Sequence, residues 1–316
     1  HEAKVSLPGG CVIGDRPIDL HLRGFEALGA EVEFDGGNIL LSAPRGLTGT
    51  RLNLSGKFGS TVLGTDNVMM AAVLAKGTTV IEGAAVEPEV VDLADFLNGM
   101  GAKVSGAGTT TITIEGVESL KGREHTVIPD RIEAGTFLVA GAIGGGEVTI
   151  KNADASHLTS LIEKLRETGY DLTTEGKNIT VRPNGEPKGC NISTEPYSGF
   201  PTDMQAQMCA LYATTPGTSV VTENIFPQRF MHVAELTRMG ADIHLEGATA
   251  IIKGVDHLSG APVMASDLRA SAALVLAGLK AKGETEVNRL YHIDRGYEHI
   301  DRKLRKLGAD VERALM

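Results

Sequence analysis

The residue whose setting most suggests chemistry is Cys11, in the segment Leu7-Pro8-Gly9-Gly10-Cys11-Val12-Ile13-Gly14-Asp15-Arg16-Pro17. Three glycines and two prolines forbid a regular helix or strand there, so the thiol is expected on a pliable, exposed loop. Arg16, five residues on, adds positive charge that favours the thiolate and attracts an anion. Four aspartates, Asp66, Asp130, Asp203 and Asp267, each open an alanine-rich stretch. An Asp at a helix start caps free amides, and capping is the ordinary role of all four. The nine histidines show no metal-ligand spacing, and no GxGxxG or P-loop string occurs.

These groups must be held by a repeated framework. A helix-ending phrase followed by a strand recurs around Gly29, Gly101, Gly169, Gly240 and Gly308, about seventy residues apart. Each glycine suits the left-handed position after a helix, and the residues beyond it alternate as a strand does. Glycine-led strands begin in step at Gly77, Gly146, Gly217 and Gly283. The period reads as a βαβαββ subdomain, too long for a short solenoid repeat. Lys121–Asp130 carries few apolar anchors and is the candidate hinge, dividing residues 1–126, with about two repeats and the Cys11 loop, from residues 127–316, with nearly three.

With 316 residues, 42% apolar and 22% charged, the chain has room for two globular domains. A net charge of −10 argues against nucleic acid or an anionic membrane surface as partner, yet leaves room for a small basic pocket. No apolar run reaches membrane-spanning length. The odd, unpaired cysteines Cys11, Cys190 and Cys209 fit a reducing cytoplasm. The chain starts at His1 and runs almost directly into the Cys11 loop, which reads as a missing front segment.

The string Leu7–His21 is similar to the mobile loop, and the strand after it, of the enolpyruvyl transferases. The resemblance continues through Gly199–Gln205, Asn224–Phe230, Ala265–Arg269 and Tyr291–Tyr297, and covers essentially the whole chain. It implies an α/β (α+β) fold of two inside-out α/β barrels built from βαβαββ units, with a cleft closed by domain movement and by the Cys11 loop. Within the family it points to transfer of the enolpyruvyl group of phosphoenolpyruvate to the 3′-hydroxyl of UDP-N-acetylglucosamine, a step of peptidoglycan synthesis that fosfomycin blocks by alkylating the loop cysteine. Two small-molecule substrates are the implied partners, without cofactor, and the oligomeric state is left open.

By the same resemblance, Cys11 is the proton donor to the methylene carbon, Asp203 the base at or hydrogen-bond partner of the sugar hydroxyl, and Asp267 a second carboxylate for proton traffic. Arg16, Arg229, Arg269 and Arg295 surround phosphoenolpyruvate. Arg16, Pro17, Ile18, Asp19 and Leu20 line the nucleotide site with Lys57, Ser60, Thr61, Val62, Asp203 and Ile225. The family's Lys-Asn pair and a further arginine near its N-terminus have no counterpart in this chain. That departure keeps a second reading open, a non-catalytic UDP-sugar-binding copy. A third, transfer to shikimate 3-phosphate, is disfavoured by the Gly-Gly-Cys loop.

Overall fold

The computed structural model describes residues 2–7 and 18–314. Among these the chain divides into two compact units, one reaching Ile128 and including Pro196–Ser198, the other comprising Pro129–Glu195 and Gly199 onward.

The first unit begins with β1 (Glu2–Ser6), α1 (Asp19–Ala27), β2 (Glu31–Asp35) and β3 (Asn38–Ser42), whose strands pair in the order β1-β3-β2. A full unit follows: β4 (Arg51–Asn53), α2 (Val62–Ala72), β5 (Thr78–Glu82), α3 (Pro88–Gly99), β6 (Lys103–Ser105) and β7 (Thr111–Glu115). Its sheet runs β4-β5-β7-β6, with β4 and β5 parallel and the other pairs antiparallel. Alternate residues of β5 and β7, including Ile81, Ile112 and Ile114, turn inward onto Val68 and Met69 of α2 and Val90 of α3.

The second unit opens with α4 (Arg131–Gly144), β8 (Val148–Ile150), α5 (Thr159–Thr168), β9 (Tyr170–Glu175) and β10 (Asn178–Pro183). Another full βαβαββ unit comprises β11 (Ile192–Ser193), α6 (Gln205–Tyr212), β12 (Thr218–Thr222), α7 (Met231–Arg238), β13 (Asp242–Glu246) and β14 (Thr249–Lys253). Its sheet order, β11-β12-β14-β13, repeats that of the first unit. The chain closes with β15 (Pro262–Met264), α8 (Leu268–Gly278), β16 (Glu286–Asn288) and α9 (Ile300–Lys306).

Helices α4, α6 and α8 pack on one another in the middle of this unit. All eight residues of α6 are buried, as is every residue of α4 from Ala134 to Ile143. A helix that is apolar on every side can only lie inside, so the sheets form the outer wall. Polar residues on such helices stand out, and Thr136, Gln205, Gln207 and Ser271 are all fully buried.

The five glycines expected after helices all take the left-handed backbone, with φ of 95°, 105°, 111°, 92° and 97° at Gly29, Gly101, Gly169, Gly240 and Gly308. Three local expectations are corrected. Ile18–Leu20 is not strand: Asp19 begins α1, because Leu20 and Gly24, four apart, form its inner face. A Cβ on Gly24 would come within 2.2 Å of Val68, so α1 crosses α2 at near contact. Asp66 does not open its helix. Thr61 does, accepting the Gly64 amide at 3.1 Å, while Asp66 lies one turn inside and half-buried. Asp203 sits in a short 3₁₀ turn, Thr202–Met204, ahead of α6 rather than capping it.

The repeat is also enforced by glycines that touch backbone. Gly116 and Gly254 follow the last strands of the two full units, and a Cβ on either would lie 1.7 Å from a carbonyl oxygen, of Ala75 or Thr215 respectively. Gly254→Ala is therefore expected to cost about 2–4 kcal/mol through forced backbone movement. Gly240→Ala, whose Cβ meets nothing within 4 Å, should cost only the backbone strain, about 1–2 kcal/mol. Denaturant unfolding of both variants checks the order, and equal losses would contradict it.

Candidate active site

The N-terminal halves of the three central helices are joined by hydrogen bonds into one polar cluster. Asp203 lies just before α6, and its Oδ1 accepts from Arg229 Nη2 at 2.9 Å and from Arg269 Nε at 3.1 Å. Arg229 is 7% exposed, whereas the Asp203 side chain keeps 41% of its surface open. Burial alone would raise the Asp203 carboxyl, but the two guanidiniums outweigh it and hold the group down at about 2. It is therefore a carboxylate, and a weak base, for as long as both arginines stay on it.

Each arginine has a second anchor. Arg269 Nη1 donates to the Tyr297 hydroxyl at 3.0 Å, and its guanidinium carbon stands 5.5 Å from that ring's centroid. Thr136 gives its single hydroxyl proton to the Ile132 carbonyl, so Tyr297 must donate to Thr136 Oγ1, at 2.9 Å. Gln207 Nε2 donates to Thr136 Oγ1 and to the Asp203 carbonyl, tying α6 to α4. Arg229 Nη1 donates to Thr202 Oγ1 at 3.0 Å, and its guanidinium lies 5.8 Å from the Phe226 ring centroid. Two aimed guanidiniums beside the N-termini of α6 and α8 form a place where a phosphate or carboxylate would be held.

Asp267 caps α8. Its Oδ1 accepts from the amides of Arg269 and Ala270, both at 3.0 Å, and its Oδ2 accepts from the Ser266 hydroxyl at 3.1 Å. Its carboxylate thus fixes the backbone from which Arg269 reaches Asp203. Close by, burial lowers His232 to about 4, with Asp267 pulling it up and Arg229 pushing it down, so the imidazole is neutral near pH 7. Ile225 gives its amide to Glu223 Oε1 at 2.9 Å. Arg295 is exposed and lines an open hollow of about 550 Å³ with Glu133, Asp294, Tyr297, His299 and Arg313.

A second cluster lies in the first unit. Leu20 is buried against the loop that follows β4, so closely that a Cβ on Gly56 would stand 2.9 Å from its Cδ1. That contact brings Asp19 and Leu20 to the segment carrying Lys57, Ser60, Thr61 and Val62. Gly56 and Gly59 exchange backbone hydrogen bonds at 2.8 and 3.2 Å, making a tight turn that exposes Lys57, whose ammonium lies 5.3 Å from the Phe58 centroid. Thr61 then starts α2. Asp19 stands exposed in the first turn of α1, 3.9 Å from Arg23, and His21 Nδ1 meets Asn67 Nδ2 at 2.9 Å. Cys11, Arg16 and Pro17 lie outside the described residues. Among the described residues no group of three or more His, Cys, Asp and Glu could hold a metal ion, and no helix is long and apolar enough to cross a membrane.

Sequence reasoning picked out Asp203, Arg229 and Arg269 but missed Thr202, Gln207, Glu223, Tyr297 and Thr136, which hold them. Polar residues inside otherwise apolar helices were the available signal for Thr136 and Gln207.

The comparisons agree with this architecture. A family model described as EPSP synthase (3-phosphoshikimate 1-carboxyvinyltransferase) matches residues 1–304. A UDP-N-acetylglucosamine 1-carboxyvinyltransferase of Akkermansia muciniphila is 63% identical over 311 residues, covering 98% of this chain and 73% of the relative. One of Methylacidiphilum infernorum is 58% identical, covering 99% and 74%. Among solved structures, the enolpyruvyl transferase NikO of Streptomyces tendae superposes with a TM-score of 0.86 at 24% identity, covering 98% of this chain and 74% of that one. An EPSP synthase of Acinetobacter baumannii gives 0.75 at 20% identity, covering 99% and 75%. At these identities the likeness shows the fold, the α/β architecture of βαβαββ units.

The pairing makes a stability prediction. A carboxyl held below its ordinary value near 4 stabilises the fold above that pH and loses the contribution as pH falls toward about 2. Asp203→Asn leaves two paired guanidiniums without their carboxylate. At neutral pH it should cost about 1–2 kcal/mol, less than a fully buried pair because the side chain is open to solvent. Denaturant midpoints of wild type and variant should converge as pH is lowered from about 4 toward about 2; a pH-independent gap would contradict the assignment.

Proposed function

The chain belongs to the EPSP synthase family of enolpyruvyl transferases, and on that premise we propose that it transfers the enolpyruvyl group of phosphoenolpyruvate to the 3′-hydroxyl of UDP-N-acetylglucosamine, releasing phosphate in peptidoglycan synthesis. The observation that carries this reading is the Asp203 carboxylate shared by Arg229 and Arg269, in a chain 63% identical to a relative bearing that activity's name.

The chemistry divides among the residues as follows. Arg229 and Arg269, with Arg16 and Arg295, hold the carboxylate and phosphate of phosphoenolpyruvate. The Cys11 thiol gives its proton to the methylene carbon, C3, which leaves C2 open to attack. Asp203 accepts the proton of the sugar hydroxyl as its oxygen bonds to C2. Elimination then takes a proton back from the new methyl group and breaks the C2–O bond to phosphate, and Asp267 serves this proton traffic. Attack of the Cys11 sulfur on C2 instead gives a phospholactoyl adduct. An anion between the arginines would draw them off Asp203 and restore the basicity that they suppress, so that base and bound substrate appear together.

The nucleotide is assigned to the first unit. Lys57 and the start of α2 at Ser60, Thr61 and Val62 suit a diphosphate, since one short segment carries both an ammonium and a helix N-terminus. Pro17, Ile18, Asp19 and Leu20 are assigned the uridine side, and Ile225 of the second unit is assigned a backbone or apolar contact to the same ligand. The odd number of cysteines, Cys11, Cys190 and Cys209, without paired spacing, is what supports a reducing, cytoplasmic setting.

Phosphate release from phosphoenolpyruvate should require UDP-N-acetylglucosamine and fall at least a hundredfold in Cys11→Ser, and fosfomycin should add mass at Cys11 alone. Turnover with shikimate 3-phosphate in place of the UDP-sugar would instead favour the activity that gives the family its description. Turnover with neither acceptor would sink the proposal.

A further inference from the structure

Glu223, at the end of β12, is fully buried, and its carboxylate takes four hydrogen bonds from neutral donors. Oε1 accepts from Thr194 Oγ1 at 2.7 Å and from the amides of Ile225 and Phe226 at 2.9 and 3.0 Å. Oε2 accepts from Thr202 Oγ1 at 2.9 Å. A buried carboxylate is costly to desolvate, and a neutral amide oxygen could cap the Ile225–Phe226 turn as well. The turn therefore explains one oxygen and leaves the other unexplained.

Thr202 supplies the explanation. Its hydroxyl has a single proton, which goes to Glu223, so the lone pairs of Oγ1 are turned to Arg229 Nη1 at 3.0 Å. Glu223 thus acts, by accepting the Thr202 proton, on the guanidinium whose other nitrogen, Nη2, meets Asp203. The same carboxylate fixes Phe226, over whose ring the Arg229 guanidinium lies. Three of the contacts that place Arg229 in space, to Thr202, Asp203 and the Phe226 ring, include two that lead back to Glu223.

From this geometry we infer that Glu223 is a positioning residue for anion capture, orienting Arg229 through Thr202 and Phe226 without touching substrate itself. The inference rests on the enolpyruvyl-transfer reading for the identity of the anion, but not for the existence of an anion site. Replacing Glu223 by Gln keeps an oxygen for Thr194, Ile225 and Phe226 and puts a donor opposite Thr202. The Thr202 proton then has no acceptor there, and its turn toward Arg229 is lost.

The test uses four proteins, wild type, Glu223→Gln, Thr202→Val and Thr202→Ser, and two readouts. Inorganic phosphate binding by calorimetry should weaken about tenfold or more in Glu223→Gln and Thr202→Val and stay near wild type in Thr202→Ser, which keeps the hydroxyl. The KM for phosphoenolpyruvate should rise by a similar factor in the same two variants, while that for UDP-N-acetylglucosamine changes less than about twofold. Equal changes for both substrates, unchanged phosphate binding in Glu223→Gln, or a fall in melting temperature alone would reduce Glu223 to a turn cap and overturn the inference. No phosphate binding by the wild type would overturn it too. Phosphate binding that responds as expected in a protein without transfer activity would sink the functional reading and leave this one standing.

Discussion

The second unit is organised around one conflict, two guanidiniums placed largely out of water beside a single carboxylate. Arg229 and Arg269 are costly to bury, and Asp203 offsets that cost. Several neighbours hold this arrangement in place. Asp267 caps α8 and so fixes the backbone of Arg269; Tyr297, held by Thr136 and Gln207, takes the guanidinium's far nitrogen; Thr202 and Phe226 hold Arg229. Among the described residues α6 is wholly buried and α4 and α8 mostly so, and the polar side chains that link the three helices lie in their N-terminal halves. A site that prizes negative charge thus lies at the positive ends of helices, where dipole and guanidiniums act in the same sense.

The arrangement also resolves a tension in the assigned chemistry. A carboxylate held at about 2 is a poor acceptor for a sugar proton, yet Asp203 is the residue assigned that task. The two statements are compatible because the groups that suppress its basicity are the groups an anionic substrate attracts. On the proposed reading, specificity and basicity are coupled through the same two side chains, and a water-filled site would keep Asp203 quenched.

Much of the framework was legible in the sequence because it is repeated and because glycine has few substitutes where φ is positive. The five helix-ending glycines gave the period, and all five have the expected backbone. The carboxylate and two arginines were legible only through resemblance, since each alone is an ordinary surface or capping residue. Ile18–Leu20 misled because three alternating residues fit a strand as well as the first turn of a helix, and only Gly24 packed on Val68 decides between them. Asp66 misled because an Asp ahead of alanines imitates a cap that Thr61, five residues earlier, already provides. Glu223 could not be read at all: its significance lies in hydrogen bonds to residues 20–30 positions away in sequence, at Thr194 and Thr202, and no local pattern encodes them.

The coupling of anion binding to Asp203 is the centre of this account, and the direct measurement is a carbon-13 NMR titration of the Asp203 carboxyl with and without phosphoenolpyruvate. Without ligand the carboxyl should titrate near the low value its arginines impose. With ligand bound it should move up toward the ordinary carboxylate range, as the guanidiniums turn to the anion. An Asp203 signal that titrates at the same low pH in both states would show that the arginines never leave it, and would contradict the account.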